Sequence, residues 1–140
     1  MKILGQITTV ILLSIIIGCD PGGTFIFNID NGSEYDLMAH YKINSGWGSD
    51  EIDSTMEITS GEEQEIYRFH QLGGPYDIGD GIKERLAFVE LYHEDTLVYE
   101  QNPVDRDLWQ YNEEKDWIGS GTATYTLEIK NEQLNINTNN

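Results

Sequence analysis

The sequence predicts an all-β protein, an antiparallel β-sandwich of about seven strands that is immunoglobulin-like in broad class. Short segments alternate apolar and polar residues with a period of two, as half-buried strands do. Clusters of Gly, Asn, Asp and Ser separate these segments at the spacing of strand-connecting turns. No sustained amphipathic helical pattern competes with them. A small closed barrel is the alternative arrangement.

The first two strands are predicted over residues 24–30 and 35–43. Between them stands Asn31-Gly32-Ser33, and Asn-Gly is the strongest short-range signal for a β-hairpin. We therefore expect the two strands to pair with each other. Alternate residues should form their inward faces: Phe25, Phe27, Ile29, Tyr35, Leu37, Ala39, Tyr41 and Ile43.

The middle of the chain is predicted to contribute four more strands, over residues 54–59, 63–70, 85–93 and 96–101. The third of these is apolar on both faces, which is typical of a central strand. A long loop with four glycines and one proline, residues 71–84, precedes it.

The last part of the chain is predicted to be irregular until a final strand. Residues 102–121 are polar and aromatic without alternation, and a helical turn fits near 105–111. Residues 122–129 then alternate cleanly, with Ala123, Tyr125, Leu127 and Ile129 on the inward side.

The N-terminus has the features of a bacterial lipoprotein leader. Lys2 supplies a basic start, residues 3–17 are mostly aliphatic, and Gly18-Cys19 follows. An aliphatic residue three positions before a cysteine, with a small residue directly before it, resembles a lipobox. The apolar run is shorter than the roughly 20 residues of a transmembrane helix, although an uncleaved anchor is the alternative.

The resemblance to a lipobox implies the domain organisation of the chain. Residues 1–18 would be a cleaved signal peptide, 19–23 a lipidated tether, 24–130 the sandwich domain and 131–140 a polar tail that frays at its end. Acylation of Cys19 would anchor the protein to the cell membrane or the outer membrane. The domain would then lie outside the cytoplasm, in the periplasm or on the cell surface.

Composition excludes several classes of partner. The 140 residues carry 25 Asp and Glu against 8 Lys and Arg, a formal net charge of −17. Nucleic-acid binding requires a basic footprint, so we expect none. Such charge should also keep a tethered domain soluble and off anionic membrane surfaces. With one cysteine, an intrachain disulfide is excluded and the core must hold the domain.

Three segments resemble small envelope lipoproteins of Bacteroidota that carry one immunoglobulin-like sandwich. They are the lipobox with its short tether, FNIDNGSEYDL at 27–37, and DTLVYEQNPVDRDLW at 95–109 followed by YTLEI at 125–129. The resemblance implies location and fold but no activity. It also implies O-glycosylation at Asp-Ser/Thr motifs, with Ser54 and Thr96 as the candidate sites.

Residues that carry catalytic chemistry are sparse. His40, His70 and His93 are scattered, with no two at metal-ligand spacing, and the one cysteine is assigned to lipid. The segment 77–81 faintly resembles a calcium loop, with Asp77, Asp80 and Glu84 as weak candidate ligands, but it fails the EF-hand pattern. We therefore expect no enzyme activity, no cofactor and no metal centre.

Aromatic residues in predicted loops are the better functional candidates. Trp47, Tyr76 and Trp117 can stack on sugars or contact a protein, because loops carry function on a rigid scaffold. Trp47 lies between two glycines and is the best of them. The alternative is that such rings cap the core, most strongly for Trp109.

The resulting functional hypothesis is a lipid-anchored, non-enzymatic binding or adhesion module for a glycan or an envelope protein. The alternative is an acidic inhibitor or immunity-type lipoprotein that neutralises a basic partner, which the net charge of −17 motivates. A small hydrolase is a third, weaker hypothesis.

Overall fold

The computed structural model describes residues 21–46 and 50–136, which form two four-stranded sheets packed as a β-sandwich. The strands are β1 (Gly22–Asn31), β2 (Leu37–Ile43), β3 (Ile52–Ile58), β4 (Glu63–Leu72), β5 (Leu86–His93), β6 (Thr96–Gln101), β7 (Trp109–Lys115) and β8 (Gly121–Ile129). The short helix α1 (Ile82–Arg85) follows a 3-10 turn at Gly79–Gly81, and further 3-10 turns lie at Arg106–Leu108 and Asn131–Gln133. The predicted sandwich architecture is confirmed, and the two separate sheets exclude the barrel alternative.

The first sheet has the strand order β4-β1-β8-β7. β1 pairs antiparallel with β4 but parallel with β8, so the first and last strands run side by side in one direction. This pair departs from the wholly antiparallel arrangement that the sequence predicted. The second sheet, β3-β2-β5-β6, is antiparallel throughout. β5 is a central strand, as its apolar faces predicted.

The core is formed by the alternate residues that the sequence assigned to inward faces. Phe27 is fully buried, stacks on Tyr125 with ring centroids 5.2 Å apart, and meets Trp109 edge-on at 6.0 Å. The Trp109 indole N–H donates to Gln101 Oε1 at 3.1 Å, which satisfies its one polar atom inside the core. The interpretation of Trp109 as a core residue is therefore confirmed.

The hairpin predicted at residues 31–33 is wrong, because β1 and β2 belong to different sheets. Asn31 is fully buried and makes this corner. Its Nδ2 donates to the carbonyls of Tyr35 and Ile58 at 2.8 and 2.9 Å, and its Oδ1 accepts from the Ser33 hydroxyl at 2.6 Å. The side chain thus ties the end of β1 to the second sheet instead of letting the chain turn back.

The sequence also missed β7, which lies within the segment predicted to be irregular. In this strand Trp109 is buried and Tyr111 half-buried, but residues 112–115 are exposed. β7 is an edge strand whose far half has no apolar face, so it shows no alternation. The helical turn predicted near 105–111 corresponds to the 3-10 turn at Arg106–Leu108.

The described residues near both ends of the domain pack against the sandwich. Gly22 and Gly23 belong to β1 rather than to the tether expected over 19–23. A Cβ on Gly23 would lie 2.6 Å from the Gly74 carbonyl carbon, so this glycine allows two backbones to pack closely. In the tail expected over 131–140, Leu134 is buried and Asn135 N–H donates to the Val98 carbonyl at 2.8 Å.

Several predictions fall on residues outside the described ranges, including the signal peptide, Cys19 and Trp47. Within residues 21–46 and 50–136, no helix has the length and apolar character needed to cross a membrane.

Candidate ligand-binding cleft

A cleft of about 870 Å³ runs along one edge of the sandwich. One wall is residues 67–72 of β4, and the opposite wall comes from residues 76–85, including α1. Neighbouring residues of a strand point to opposite faces, so a cleft that touches six in succession must follow the strand's edge. β4 pairs only with β1, so it is an edge strand of its sheet.

Two glycines and an ion pair shape the far wall of the cleft. Gly73 and Gly74 have φ values of 101° and 71°, which only glycine adopts readily, and they turn the chain out of β4. Asp77 then fixes the start of the helical segment. Its Oδ1 accepts from the Gly79 N–H at 2.9 Å, and its carboxylate pairs with Arg106 at 2.5 Å. The Arg106 guanidinium also lowers the pKa of the Asp77 carboxyl.

Phe69 and Arg85 both line the cleft, and Phe69 contacts a second, buried ring behind it. Phe69 stacks on the buried ring of Phe25 with centroids 4.7 Å apart and an interplanar angle of 6°. The Arg85 guanidinium carbon lies 4.7 Å from the Phe69 ring centroid. Arg85 makes no ion pair with any carboxylate that the structure describes. The cleft therefore offers a half-buried positive charge in a strongly acidic protein.

A second arginine and a histidine lie on the β4 wall. Arg68 is exposed, and its Nε donates to Glu65 Oε1 at 3.0 Å. His70 Nδ1 lies 3.0 Å from the Thr24 hydroxyl. Thus two of the chain's three arginines line one cleft, and Glu84 is the single carboxylate among the described residues that line it. These lining residues can hold an anionic group beside aromatic rings.

The structure places the predicted loop aromatics differently from one another. Tyr76 lines the cleft, is 49% exposed, and contacts Phe25 edge-on at 5.6 Å between centroids. Trp117 is 95% exposed at the turn between β7 and β8, away from the cleft lining. Trp47 lies outside the described residues, although Gly46, the residue before it, lines the cleft.

The weak calcium candidate does not form a ligand set. Asp77 is engaged by Arg106 and Asp80 by Lys83, whose Nζ lies 3.1 Å from Asp80 Oδ1. Glu84 lines the cleft instead. In the part of the chain that the structure describes, no group of three His, Cys, Asp or Glu side chains is arranged to hold a metal ion.

The two candidate glycosylation sites lie on edge strands of the second sheet. Ser54 is half-buried within β3, where it pairs with Tyr41. Thr96 is exposed at the start of β6, directly after the turn at Glu94-Asp95. Their modification stays a prediction, and Thr96 is the more accessible of the two.

Sequence reasoning missed a polar cluster on the outer face of the second sheet. His40 Nε2 lies 2.8 Å from Asp53 Oδ1, and His40 Nδ1 lies 2.9 Å from Glu90 Oε2. The Tyr92 hydroxyl also donates to Glu90 at 2.7 Å. Hydrogen bonds that the Asp53 carboxylate, and then the Glu90 carboxylate, accept from the imidazole raise the pKa of His40. The cluster ties β3, β2 and β5 together, and only the cross-strand register reveals it.

Comparison with known proteins finds no matching family model, no matching curated sequence and no matching solved structure.

Proposed function

We propose that this protein is a lipid-anchored, non-enzymatic binding module of the cell envelope, and that the cleft beside β4 is its ligand site. One observation carries the proposal. Arg85 lies over the Phe69 ring in the lining of a cleft, without a described carboxylate partner, in a chain with a net charge of −17. A cationic group in a concave, ring-lined site is what an anionic ligand requires.

The ligand class follows from the lining. A guanidinium binds a carboxylate through two parallel hydrogen bonds, and the half-exposed Tyr76 offers a flat face for a sugar ring. A cleft of about 870 Å³ is within the range of small-ligand sites. We therefore propose an acidic saccharide, one that contains uronic acid units, as the ligand.

Titration calorimetry with an oligosaccharide of uronic acids tests this proposal. Arg85→Gln should weaken binding about tenfold or more, because a charged hydrogen bond contributes roughly 1.5–3 kcal/mol. Lys83→Gln is the matched control. It removes the same charge from the same helix, but Lys83 pairs with Asp80 and does not line the cleft. Equal losses in both variants, or no binding by the unaltered protein, would contradict the proposal.

Lipid anchoring at Cys19 is supported by the leader-like sequence that precedes it. We propose that this anchor holds the domain outside the cytoplasm. We also propose that the sandwich is of the immunoglobulin-like type. Protease treatment of intact cells tests the location, with Cys19→Ser as the control that should leave the membrane fraction. Digestion on intact cells indicates the surface, whereas protection until the envelope is broken indicates the periplasm.

The second candidate is an inhibitor or immunity-type lipoprotein for a basic partner, favoured by the excess of 25 acidic over 8 basic residues. Its association should weaken strongly as salt rises, because screening reduces attraction between opposite surface charges. Tight binding that is insensitive to salt argues against it. Arg85→Gln should leave such binding intact, which separates the two candidates.

A further inference from the structure

Three exposed apolar side chains lie at one end of the first sheet. Trp117 is 95% exposed, Leu72 is 75% exposed and Ile118 is 48% exposed. We call these three residues the apolar end. Trp117 and Leu72 are the two most exposed large apolar side chains among the residues that the structure describes. Exposed apolar side chains gathered at one place mark contact surfaces.

The chain enters the fold at the apolar end. The Pro21 carbonyl accepts hydrogen bonds from the N–H groups of Gly73 and Gly74 at 2.7 and 2.8 Å, directly after Leu72. A Cβ on Gly119, directly after Ile118, would lie 3.8 Å from the Pro21 ring. Pro21 is therefore packed between the two loops that carry the exposed side chains.

An ordered turn presents Trp117. The Asp116 carboxylate Oδ1 accepts from the N–H groups of Ile118 and Ser120 at 3.0 and 2.9 Å. The Asp116 N–H donates to the Ser120 carbonyl at 2.8 Å, which closes the turn. The Trp117 ring is thus held outward by a fixed backbone, and the Asp116 carboxylate is used within the turn.

We propose that the apolar end docks into the interface of the bilayer that holds the lipid on Cys19. The inference rests on the lipid anchoring proposed above. Cys19 is two positions before Pro21, a span of at most about 7 Å, which is comparable to the thickness of the headgroup layer. An anchor there brings Trp117 and Leu72 to the level at which aromatic and apolar side chains partition into a membrane surface. The domain then lies against the bilayer rather than moving freely on a tether.

The charge of the protein determines which lipid headgroups permit docking. A net charge of −17 is repelled by anionic headgroups, so docking depends on apolar contact with zwitterionic lipid. This differs from the expectation that charge alone holds the domain off a membrane, because the exposed apolar residues lie beside Pro21, where the chain enters the sandwich. Anionic lipid should weaken docking without releasing the anchor.

The test uses the full chain, produced in a bacterium that processes lipoproteins and reconstituted into phosphatidylcholine vesicles whose acyl chains carry bromine. Flotation and the mass of the mature protein report on the anchor, whereas quenching of tryptophan fluorescence reports on docking. Trp117→Phe should lose most of the quenching, and Trp117→Ala should make the loop next to it accessible to protease on vesicles. Leu97→Ala is the control. Leu97 is a 42% exposed apolar residue on β6 of the second sheet, next to the turn that joins β5 to β6.

Each outcome bears on the proposal. Flotation with quenching that Trp117→Phe removes and Leu97→Ala leaves unchanged supports docking. Flotation with the same quenching in Trp117→Phe and the unaltered protein overturns docking while the anchor stands. A protein without acyl mass that does not float overturns both the anchor and the docking that rests on it.

Discussion

Asn31→Ala tests whether the corner between the two sheets depends on a buried amide. The substitution removes hydrogen bonds to the Tyr35 and Ile58 carbonyls and to Ser33. A buried hydrogen bond contributes about 1 kcal/mol net, and a buried carbonyl left without a donor costs about 1–3 kcal/mol. Because the Ile58 carbonyl is in a fully buried position, we expect a loss of about 2–4 kcal/mol in unfolding free energy.

Asn31→Asp adds a pH test of the same contacts. The introduced carboxyl would face two carbonyl oxygens, so burial and repulsion raise its pKa in the folded state. Below the unfolded-state pKa of about 3.9 the carboxyl is protonated in both states, so its ionisation does not affect stability. As pH rises above that value, stability should fall by about 1.4 kcal/mol per pH unit until the raised pKa is passed.

Urea unfolding, followed by fluorescence at several pH values, measures both variants. Asn112→Ala and Asn112→Asp are the controls, because Asn112 is exposed on β7. If Asn31→Asp lost no more stability than Asn112→Asp at neutral pH, the Asn31 hydrogen bonds would not hold the corner. A loss for Asn31→Asp that did not vary with pH would refute the burial of the introduced carboxyl.

Three further predictions concern packing and pH. Gly23→Ala should destabilise by about 1–3 kcal/mol, since its Cβ would lie 2.6 Å from backbone, whereas Gly22→Ala, with open space around it, should change the melting temperature little. Trp109→Ala should cost about 3–5 kcal/mol in denaturant unfolding, and a loss below about 1 kcal/mol would contradict its core role. The pKa of His40 is raised in the folded state, so its contribution is present below pH about 6.5 and is lost as pH rises through the folded value. A stability–pH profile of His40→Gln should lack that decline.

The strands with clean alternation were predictable because one face of each meets the core. In β1, for example, Phe25, Phe27 and Ile29 are all fully buried. The corner at Asn31 was not predictable, because its partners include the Ile58 carbonyl, 27 residues away. A local turn signal does not reveal a distant hydrogen-bond partner.

The candidate cleft could be predicted only in part. Tyr76 was selected as a loop aromatic, and it does line the cleft. Arg68 and Arg85 carried no signal, because they lie in a strand and at the end of a four-residue helix that meet only through the tertiary fold. Hydrophobic periodicity identifies the buried faces of strands. A ligand site is formed by residues outside those buried faces, which show no such pattern.

The parallel pairing of β1 with β8 determines how the domain resists mechanical force. β1 begins at Gly22, and β8 ends at Ile129, at the opposite end of the same sheet. A pull between a held N-terminus and a load on the C-terminal end would draw these two adjacent strands in opposite directions. Their nine paired positions would then be loaded together in shear, instead of opening one after another. Such a domain should resist stretching when it is held at its N-terminus and dragged by flow or by a bound particle.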